Sequence, residues 1–430
     1  MNIEALGIVI VAVCISLALM PAGASDFTLE IFGNANMDDT IDELDIEYVQ
    51  GIIDGTNDET EFADANYDGV IDEKDIEQIR KIIDGTDDMI TFIDYDGSVE
   101  SVHKPVNRIV STYTYHTWAL SMLGADDKIV AIDETVKKDQ DKIFPKTKDL
   151  PSIGSWSEYD AEKILELNPD VVIIYTRDWL TEGSNPNLEK TIETFYPNCT
   201  VFACMPRDIT LMRSEMAKLY YVIGAKETGI ELFEWIDGYL GQISERVDSL
   251  PDGDKPRVFR TDNDQTFFHT YTGNMGEWQT IIEQAGGLNV AKDLEGNFIE
   301  IEPEWIIESN PDIIIVGDSK TIGYSKDSTT EAEAYLETLL SNPAIATTNA
   351  AKEGHVYLMD MKFLMAEWFI GLPYLAKLLH PDLFEDLDPE AIHKEYLNRI
   401  RGLDYDLDRE GVFVYPPIVI DDGLAGAPDR

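Results

Sequence analysis

The sequence has 430 residues, with 83 acidic and 33 basic side chains and a formal net charge of −50. This charge argues against a nucleic-acid-binding protein, because no basic surface is available to neutralise phosphates. It favours solubility, cation binding and an extracytoplasmic setting. The hydrophobic content of 44% is typical of packed cores, and the length suits two or three domains.

The chain begins with an uncharged apolar run, Ala5 to Met20, which is followed by small residues. This pattern predicts a secretory signal peptide over residues 1–25. Glu4 stands where a basic residue is usual, so an uncleaved N-terminal anchor is the alternative. Both interpretations place the rest of the chain outside the cytoplasm, either secreted or tethered to the cell surface.

Residues 34–56 recur as residues 64–86, with 14 identities in 23 positions. Each copy contains a twelve-residue loop whose oxygen-bearing side chains are spaced to surround one calcium ion. The predicted calcium ligands are Asn34, Asn36, Asp38, Thr40, Asp42 and Asp45 in the first loop, and Asp64, Asn66, Asp68, Val70, Asp72 and Asp75 in the second. Asp39 replaces the glycine of the second loop, Gly69, and is expected in a left-handed conformation. An acidic turn that binds no metal is the alternative.

An amphipathic helix is predicted after each loop, over residues 46–53 and 76–83, and no entering helix fits before the first loop. This pair of loop–helix units, residues 30–88, resembles a type I dockerin, which is a small all-α calcium-binding domain. The resemblance implies two calcium ions as cofactors and a possible cohesin-like partner. The resemblance supports calcium binding by this chain better than it supports cohesin docking. The hydroxyl pairs that dockerins use for docking are replaced here by Glu-Leu and Glu-Lys. The second loop is expected to bind calcium more tightly, because it has four carboxylates against three.

From residue 92 onward, predicted strands alternate with predicted helices, which indicates parallel α/β layers. The helix–strand unit 162–174 returns at 304–316, each copy with an Asn-Pro-Asp strand entry. Apolar residues at helical spacing predict one long helix between the two copies. The predicted fold is α/β, with two Rossmann-like lobes joined by that helix and a cleft between facing strand ends. The predicted boundaries are 92–222 for the first lobe, 223–250 for the linking helix, 255–403 for the second lobe and 404–430 for an acidic tail.

This order of elements resembles the helical-backbone (type III) class of substrate-binding proteins, which serve ABC importers of iron chelates and vitamin B12. The similarity extends over residues 95–400 and includes the strand opening 108–111 and the Gly286-Gly287 turn. It implies a non-enzymatic protein with an ABC permease as its partner and a siderophore-type iron chelate as its ligand. A corrinoid or haem is the alternative ligand. The resemblance also implies that Glu162 and Glu304 dock onto permease arginines, although an acidic residue at a helix start has a simpler explanation in the helix dipole.

Aromatic and basic residues just beyond the predicted strands are the candidates for ligand binding. Aromatic faces suit a flat chelate, and Arg and Lys suit its carboxylate or catecholate edges. The candidates are Tyr113, Tyr115, His116, Trp156, Tyr175, Arg177, Met205, Arg207, Arg260, Tyr271, Trp278, Phe298, Met361 and Lys362.

Two further expectations come from what the sequence contains and lacks. Cys199 and Cys204 flank a predicted strand that holds their α-carbons about 16 Å apart, so they are expected to be free thiols. The sequence has no Gly-rich phosphate loop, nucleophile elbow or paired-His zinc motif, which argues against an enzyme. A cell-surface scaffold or adhesion protein, assembled through the calcium loops, is the remaining alternative.

Overall fold

A computed structural model shows a small N-terminal module followed by two α/β lobes. It describes residues 28–95, 97–139, 142–155, 158–175, 195, 199–263, 268–273, 276–420 and 423–428. The predicted signal segment, Trp156 and Arg177 lie outside these residues. Across the same ranges, no helix is both long enough and apolar enough to span a membrane.

The N-terminal module consists of two loop–helix units with helices α1 (Glu43–Ile53) and α2 (Glu73–Ile83). The helices begin three residues earlier than predicted, because each N-cap, Asp42 or Asp72, forms a capping box with the third helical residue. The two helices pack against each other and bury apolar side chains in a shared core.

The first lobe has a parallel sheet whose strand order is β4-β3-β7-β8. Its central strands are buried along their length, as expected of a parallel sheet with helices on both faces. The elements are β1 (Met89–Ile93), β2 (Val99–His103), β3 (Ile109–Ser111), α3 (Thr114–Met122), β4 (Ile129–Ala131), α4 (Glu134–Asp139), β5 (Gly154–Ser155), β6 (Glu158–Tyr159), α5 (Ala161–Glu166), β7 (Val171–Ile174), β8 (Thr200–Ala203) and α6 (Met212–Ile223).

Helix α7 (Lys226–Val247) joins the lobes, close to the predicted boundaries. Its 22 residues span about 33 Å at 1.5 Å per residue. Buried positions such as Leu232, Phe233, Ile236 and Ile243 recur at helical spacing, so one face of the helix packs into the core.

The second lobe has a mixed sheet of order β12-β10-β9-β13-β14-β15, with β11 paired to β9. Strands β9, β13 and β14 are parallel, and β10, β12 and β15 run antiparallel to their neighbours. The elements are β9 (Arg257–Asn263), β10 (Phe268–Tyr271), α8 (Gly276–Gln284), β11 (Leu288–Asn289), β12 (Phe298–Ile301), α9 (Pro303–Ser309), β13 (Ile313–Asp318), α10 (Thr330–Ser341), α11 (Pro343–Ala346), α12 (Asn349–Glu353), β14 (Val356–Asp360), α13 (Trp368–Leu379), α14 (Pro389–Glu395), β15 (Val414–Tyr415), β16 (Ile418–Ile420) and β17 (Gly423–Ala425).

The C-terminal segment is part of the second lobe, so the prediction of a separate acidic tail over 404–430 is wrong. Strand β15 pairs with β14, and Phe413 and Val414 are buried. The backbone N–H groups of both residues donate to the carbonyl of Gly426, which follows the β16–β17 hairpin. This short apolar stretch among acidic residues forms the edge strand of the sheet, and very short edge strands offer little backbone for pairing with other chains.

The internal repeat is visible in matching turns before β7 and β13. Asn168 and Asn310 both adopt a left-handed backbone, with φ of 47° and 40°. The next acidic residue of each turn, Asp170 or Asp312, accepts a backbone N–H at the start of a neighbouring strand. The donors are Arg108, just before β3, and Arg257, the first residue of β9. The Asn-Pro-Asp entry therefore joins two neighbouring strands in each lobe, as the sequence repeat implies.

The N-terminal module is fixed to the first lobe at the corner between α6 and α7. The Tyr221 hydroxyl accepts the N–H of Ile41 at 3.0 Å, and Lys226 Nζ donates to the Ile41 carbonyl at 2.9 Å. Lys104 Nζ pairs with Asp87 at 2.9 Å and donates to the Tyr221 carbonyl at 3.1 Å. The first loop is therefore held against the lobe through its own backbone.

Candidate functional site

Residues from both lobes line one small cavity between the lobes. It lies where the chain leaves β3 in the first lobe and β14 in the second, the strand ends at which open α/β sheets bind ligands. The lining residues are Thr114, Tyr115, Trp118, Ile143, Phe144, Lys362, Ala366 and Glu367.

In the first lobe, an arginine is surrounded by tyrosines. Arg207 follows β8, is 5% exposed, and donates from Nη2 to the Tyr175 hydroxyl at 3.2 Å. The Tyr115 and Tyr175 rings lie 5.8 and 5.9 Å from its guanidinium carbon, within cation–π range. Tyr113 packs against both tyrosines, with ring centroids 5.0 and 4.4 Å apart.

In the second lobe, Arg260 on β9 occupies a similar aromatic surrounding. Its guanidinium carbon lies 4.0 Å from the centroid of Trp278 and 4.6 Å from that of Tyr271. Nη2 pairs with Asp262 at 2.6 Å and contacts the Met361 sulfur at 3.2 Å. Nε and Nη1 of this 3% exposed side chain have no hydrogen-bond partner among the described residues, so they remain as donors.

Lys362 adds a third basic group at the second-lobe wall of the cavity. Burial opposes its charge, but Asp360 and Glu367 outweigh burial and raise the pKa of Lys362. Its ammonium lies 3.8 Å from Asp360 and 5.6 Å from the Tyr324 ring. Lys362 is therefore charged at neutral pH, at the edge of the cavity.

Basic groups of both lobes act electrostatically on the same tyrosines. Burial raises the pKa of Tyr115, and the charges of Arg207 and Lys362, which belong to different lobes, oppose that rise. Burial also raises the pKa of Tyr271, against the charges of Arg260 and Arg207. The structure thus places Tyr115 and Lys362 on the wall of the cavity, with Arg207 packed against the Tyr115 ring. Arg260 packs against Tyr271 in the second lobe.

His116 does not belong to this site, contrary to the sequence-based prediction. It is fully buried, and its Nε2 lies 2.9 Å from the Cys204 carbonyl. Burial lowers the pKa of His116 to about 4, so the ring is neutral at neutral pH. Tyr115 and His116 are neighbours on a helix with about 100° between successive side chains, so only one of them faces the cleft.

Other predicted residues lie behind the cleft surface or at its edge. Met205 and Trp278 are 1% and 2% exposed, so they support Tyr175 and Tyr271 from below. Phe298 is 48% exposed and packs its ring on Tyr271 at 4.6 Å. Phe298 is therefore available at the rim.

Three acidic groups beneath the site were not predicted from the sequence. Asp262, Asp318 and Asp360 stand at the ends of adjacent parallel strands, where they accompany Arg260 and Lys362. The apolar runs that end in Asp at positions 318 and 360 were the available signal. Only the fold shows that these carboxylates share one sheet edge.

The two predicted docking glutamates occupy equivalent, exposed positions. Glu162 and Glu304 lie in the first turns of α5 and α9, which precede the matching Asn-Pro-Asp entries. The simpler explanation for an acid at such a position is its favourable interaction with the helix N-terminus. The internal repeat places one such acid on each lobe.

The two loops of the N-terminal module have closely similar backbone hydrogen bonds. Asp45 and Asp75 are fully buried, and the two carboxylate oxygens of each accept N–H groups from loop positions 3 and 9. Their burial, with neighbouring carboxylates, raises the pKa of both residues, that of Asp45 to about 6. No three His, Cys, Asp or Glu side chains of the described chain lie close enough together to hold a metal. Loop oxygens instead accept backbone N–H groups, and Asp68 Oδ2 accepts a hydrogen bond from Lys74 Nζ at 3.1 Å.

The first residue of each loop explains a difference between the loops. Asp64 Oδ2 accepts the N–H of Gly69, which has a φ of 85°. Asn34 instead donates from its amide nitrogen to the Asp38 carbonyl at 2.6 Å. Met37 and its counterpart Tyr67 are left-handed in both loops, but Asp39, unlike Gly69, is not, so the expectation of a left-handed Asp39 is wrong.

The free-thiol prediction is confirmed, with Cys199 partly buried and Cys204 buried.

Comparison with known proteins finds that residues 109–362 match a family described as "Periplasmic binding protein". The molybdate-binding protein MolA of Haemophilus influenzae is 22% identical over 310 residues, which cover 66% of this chain and 83% of that protein. The petrobactin-binding protein YclQ of Bacillus subtilis is 23% identical over 274 residues, which cover 60% and 76%. The solved structure of the TroA-like periplasmic binding protein FepB from Veillonella parvula has a TM-score of 0.64 at 20% identity, covering 75% of this chain and 98% of that one. At such identities the structural likeness supports the fold alone.

Proposed function

The chain belongs to the periplasmic binding protein family, and on that premise we propose that it captures a siderophore-type iron chelate for an ABC permease. Members of this family are extracytoplasmic solute-binding components of ABC transporters and not enzymes. The ligand and the identity of the permease are the parts of this proposal that go beyond family membership.

The single observation that carries the proposal is the pair of buried arginines, Arg207 and Arg260, on opposite lobes. The chain has only 33 basic residues in 430, and both of these lie in aromatic surroundings at the cleft. A guanidinium in a site of low polarity binds carboxylate or catecholate oxygens through charge-assisted hydrogen bonds. Tyrosine and tryptophan faces add contact area for a flat ligand. The relatives named for molybdate and petrobactin are consistent with an anionic ligand.

A titration of intrinsic tryptophan fluorescence tests this proposal. We expect submicromolar quenching of the whole chain by ferric petrobactin or another ferric siderophore, and weak or no response to cobalamin, haem and molybdate. Quenching by cobalamin or haem alone would favour the alternative ligands. Binding of molybdate alone would replace the iron chelate with an oxyanion.

Matched arginine variants test the role of the cleft. Arg260→Gln and Arg207→Gln should each weaken chelate binding by roughly 10- to 100-fold, because a hydrogen bond to a charged group contributes about 1.5–3 kcal/mol. Arg246→Gln is the control, because Arg246 pairs with Asp386, whose side chain is 70% exposed, away from the cleft. Equal affinities for all three variants would contradict an anion-binding cleft.

We also propose that the two N-terminal loops bind calcium. The loops offer carboxylate, amide and main-chain oxygens, which are the donors that calcium prefers. The closely similar bonding of Asp45 and Asp75 supports equivalent roles for the two loops. Calcium would take up oxygens that now accept backbone N–H groups. A cohesin-like partner, if one binds, would use the second loop, because the first lobe covers Ile41 in the first.

A cell-surface assembly through these loops is compatible with ligand capture, since the loops and the cleft are separate surfaces. Residues 1–25 would then act as the export signal or as the tether. A scaffold that has an empty cleft would bind a partner protein with calcium but no chelate, so the fluorescence titration separates the two functions.

A further inference from the structure

Three buried side chains bind consecutive backbone groups at the end of β8. Both carboxylate oxygens of Asp94 accept the N–H of Ala203, at 3.2 and 2.9 Å. His116 Nε2 lies 2.9 Å from the Cys204 carbonyl, an acceptor to which the ring donates. Glu215 Oε2 accepts the N–H of Met205 at 2.9 Å. We call Asp94, His116 and Glu215 the β8 clamp.

The β8 clamp is assembled from three different parts of the first lobe. Asp94 follows β1, His116 lies on α3, and Glu215 lies on α6. Their exposures are 8%, 0% and 4%, and Lys218 pairs with Glu215 at 2.9 Å inside the same buried region. Burying carboxylates and an ammonium group is costly unless all are bonded. The lobe therefore uses several buried polar side chains to fix the backbone of only three residues.

The backbone held by the clamp leads directly to Arg207. Only Pro206 separates Met205 from Arg207, and proline restricts the backbone of its own residue and of the residue before it. The clamped position of Met205 therefore determines where the Arg207 guanidinium can lie against Tyr175 and Tyr115. Binding sites lose function when a polar group is displaced by about 0.5–1 Å.

We propose that Asp94, His116 and Glu215 are positioning residues that aim Arg207 into the cleft. They do not contact the ligand themselves. This inference rests on the proposed function, because it assigns them a role through a ligand-binding arginine. It also gives a role to His116, which the sequence placed at the ligand.

The role of the clamp is tested first without any ligand. We would record the Nε–H signals of ¹⁵N-labelled arginine side chains by NMR and assign Arg207 and Arg260 with the variants Arg207→Gln and Arg260→Gln. In Asp94→Ala and Glu215→Ala, the Arg207 signal should move towards the position of an exposed arginine, while the Arg260 signal stays in place. An unchanged Arg207 signal in folded Asp94→Ala and Glu215→Ala would overturn the inference.

The effect on binding is then measured by titration with ferric petrobactin in a double-mutant cycle. Asp94→Ala and Glu215→Ala should each weaken binding by about tenfold in the wild-type background and by less than twofold beside Arg207→Gln, since residues acting through a common partner are non-additive. A purely structural role would weaken binding equally in both backgrounds, which would overturn the inference. If an alanine variant does not fold, Asp94→Asn or Glu215→Gln replaces it. The Arg207 signal should then move in the same direction, but less than is expected for the alanine variant.

The two proposals fail in different ways. In one outcome, the Arg207 signal moves in the clamp variants while the wild-type protein binds no chelate. That result would support the clamp and contradict the proposed ligand. Chelate binding that depends on Arg207 but not on the clamp would support the proposed function and overturn this inference.

Discussion

The indole N–H of Trp118 in the first lobe donates to Glu367 Oε1 in the second lobe at 3.1 Å. The same carboxylate accepts the hydroxyls of Tyr324 at 2.7 Å and Tyr396 at 3.1 Å, and Glu367 is 1% exposed. Arg401 extends the contact, because it donates to Tyr396 and, at 2.6 Å, to the Ile143 carbonyl of the first lobe. The lobes are thus joined beside the cavity by buried polar contacts as well as by α7.

We predict that Glu367→Ala lowers the free energy of unfolding by at least about 3 kcal/mol. The substitution removes three buried hydrogen bonds, each contributing about 1 kcal/mol, and leaves the Tyr396 hydroxyl without its acceptor. Urea unfolding followed by tryptophan fluorescence measures the change. Glu353→Ala, at an exposed position, is the control and should have little effect. A loss below about 1 kcal/mol for Glu367→Ala would contradict a structural role for this contact.

We predict that His393 makes stability depend on pH in the acidic range. The ring is fully buried, lies 3.0 Å from the Tyr324 hydroxyl, and burial lowers its pKa to about 3. A lowered histidine pKa stabilises the fold above the unfolded value near 6.5, and this contribution is lost as pH falls towards 3. His393→Gln should therefore be less stable than wild type at pH 7.5, with a difference that narrows as pH falls below about 6.5.

The measurement is urea unfolding of both proteins between pH 4 and pH 7.5. The largest slope of the stability difference expected from one group is about 1.4 kcal/mol per pH unit. His355→Gln is the control, because the His355 side chain is 44% exposed. A difference between wild type and His393→Gln that is constant with pH would show that the native ring already carries a proton or titrates normally.

The elements with a local pattern were predictable from the sequence. A short stretch of sequence is enough to predict the conformation of these elements. They are helix α7 with its apolar spacing, strands β7 and β13 with their apolar runs, and the repeated loops. The match of residues 109–362 to the family confirms the class of fold. The observed start of a helix differs from the predicted start where a side chain caps the helix, as at Asp42 and Asp72.

Contacts between distant parts of the chain were not predictable. Trp118 and Glu367 are 249 residues apart, and nothing local indicates that they meet. Strand β15 was not predicted for the same reason, because the conformation of this two-residue strand depends on its pairing with β14. For the cleft, the rule of strand ends located Arg207, which follows β8, whereas Arg260 lies within β9. The rule could not tell that His116 turns away from the cleft.

We predict that the second loop binds calcium more tightly than the first. Its side chains supply four carboxylates against three, and Asp64 stands where the first loop has Asn34. Isothermal titration calorimetry of the whole chain should give a tighter and a weaker site. Asp75→Ala should remove the tighter one and Asp45→Ala the weaker one.

Two controls make this comparison specific. Asp58→Ala changes an exposed acid outside both loops and should leave both sites intact. Circular dichroism checks the helices, because Asp45 and Asp75 also complete the capping boxes of α1 and α2. Loss of the tighter site in Asp45→Ala, with folded helices, would reverse the assignment. Absence of calcium heat in the wild type would contradict both sites.

We predict that Glu162 and Glu304 are needed for delivery of the ligand to the permease but not for its capture. Each lies exposed in the first turn of a helix on a different lobe, so two carboxylates can meet basic groups on a two-fold symmetric permease. The double variant Glu162→Lys/Glu304→Lys should lower uptake into proteoliposomes that contain the permease by at least about tenfold, since juxtaposed like charges at an interface cost several kcal/mol. Its affinity for the chelate in solution should stay unchanged.

The internal repeat supplies a matched control for this experiment. Glu166 and Glu308 lie four residues further along the same helices and are also exposed. Glu166→Lys/Glu308→Lys therefore changes net charge and helix equally, but at positions one turn away. Uptake should fall much less with this control variant. If long-range charge repulsion alone lowers uptake by the control variant, high ionic strength should partly restore that uptake. Equal uptake by the two double variants would show that the helix starts are not the docking points.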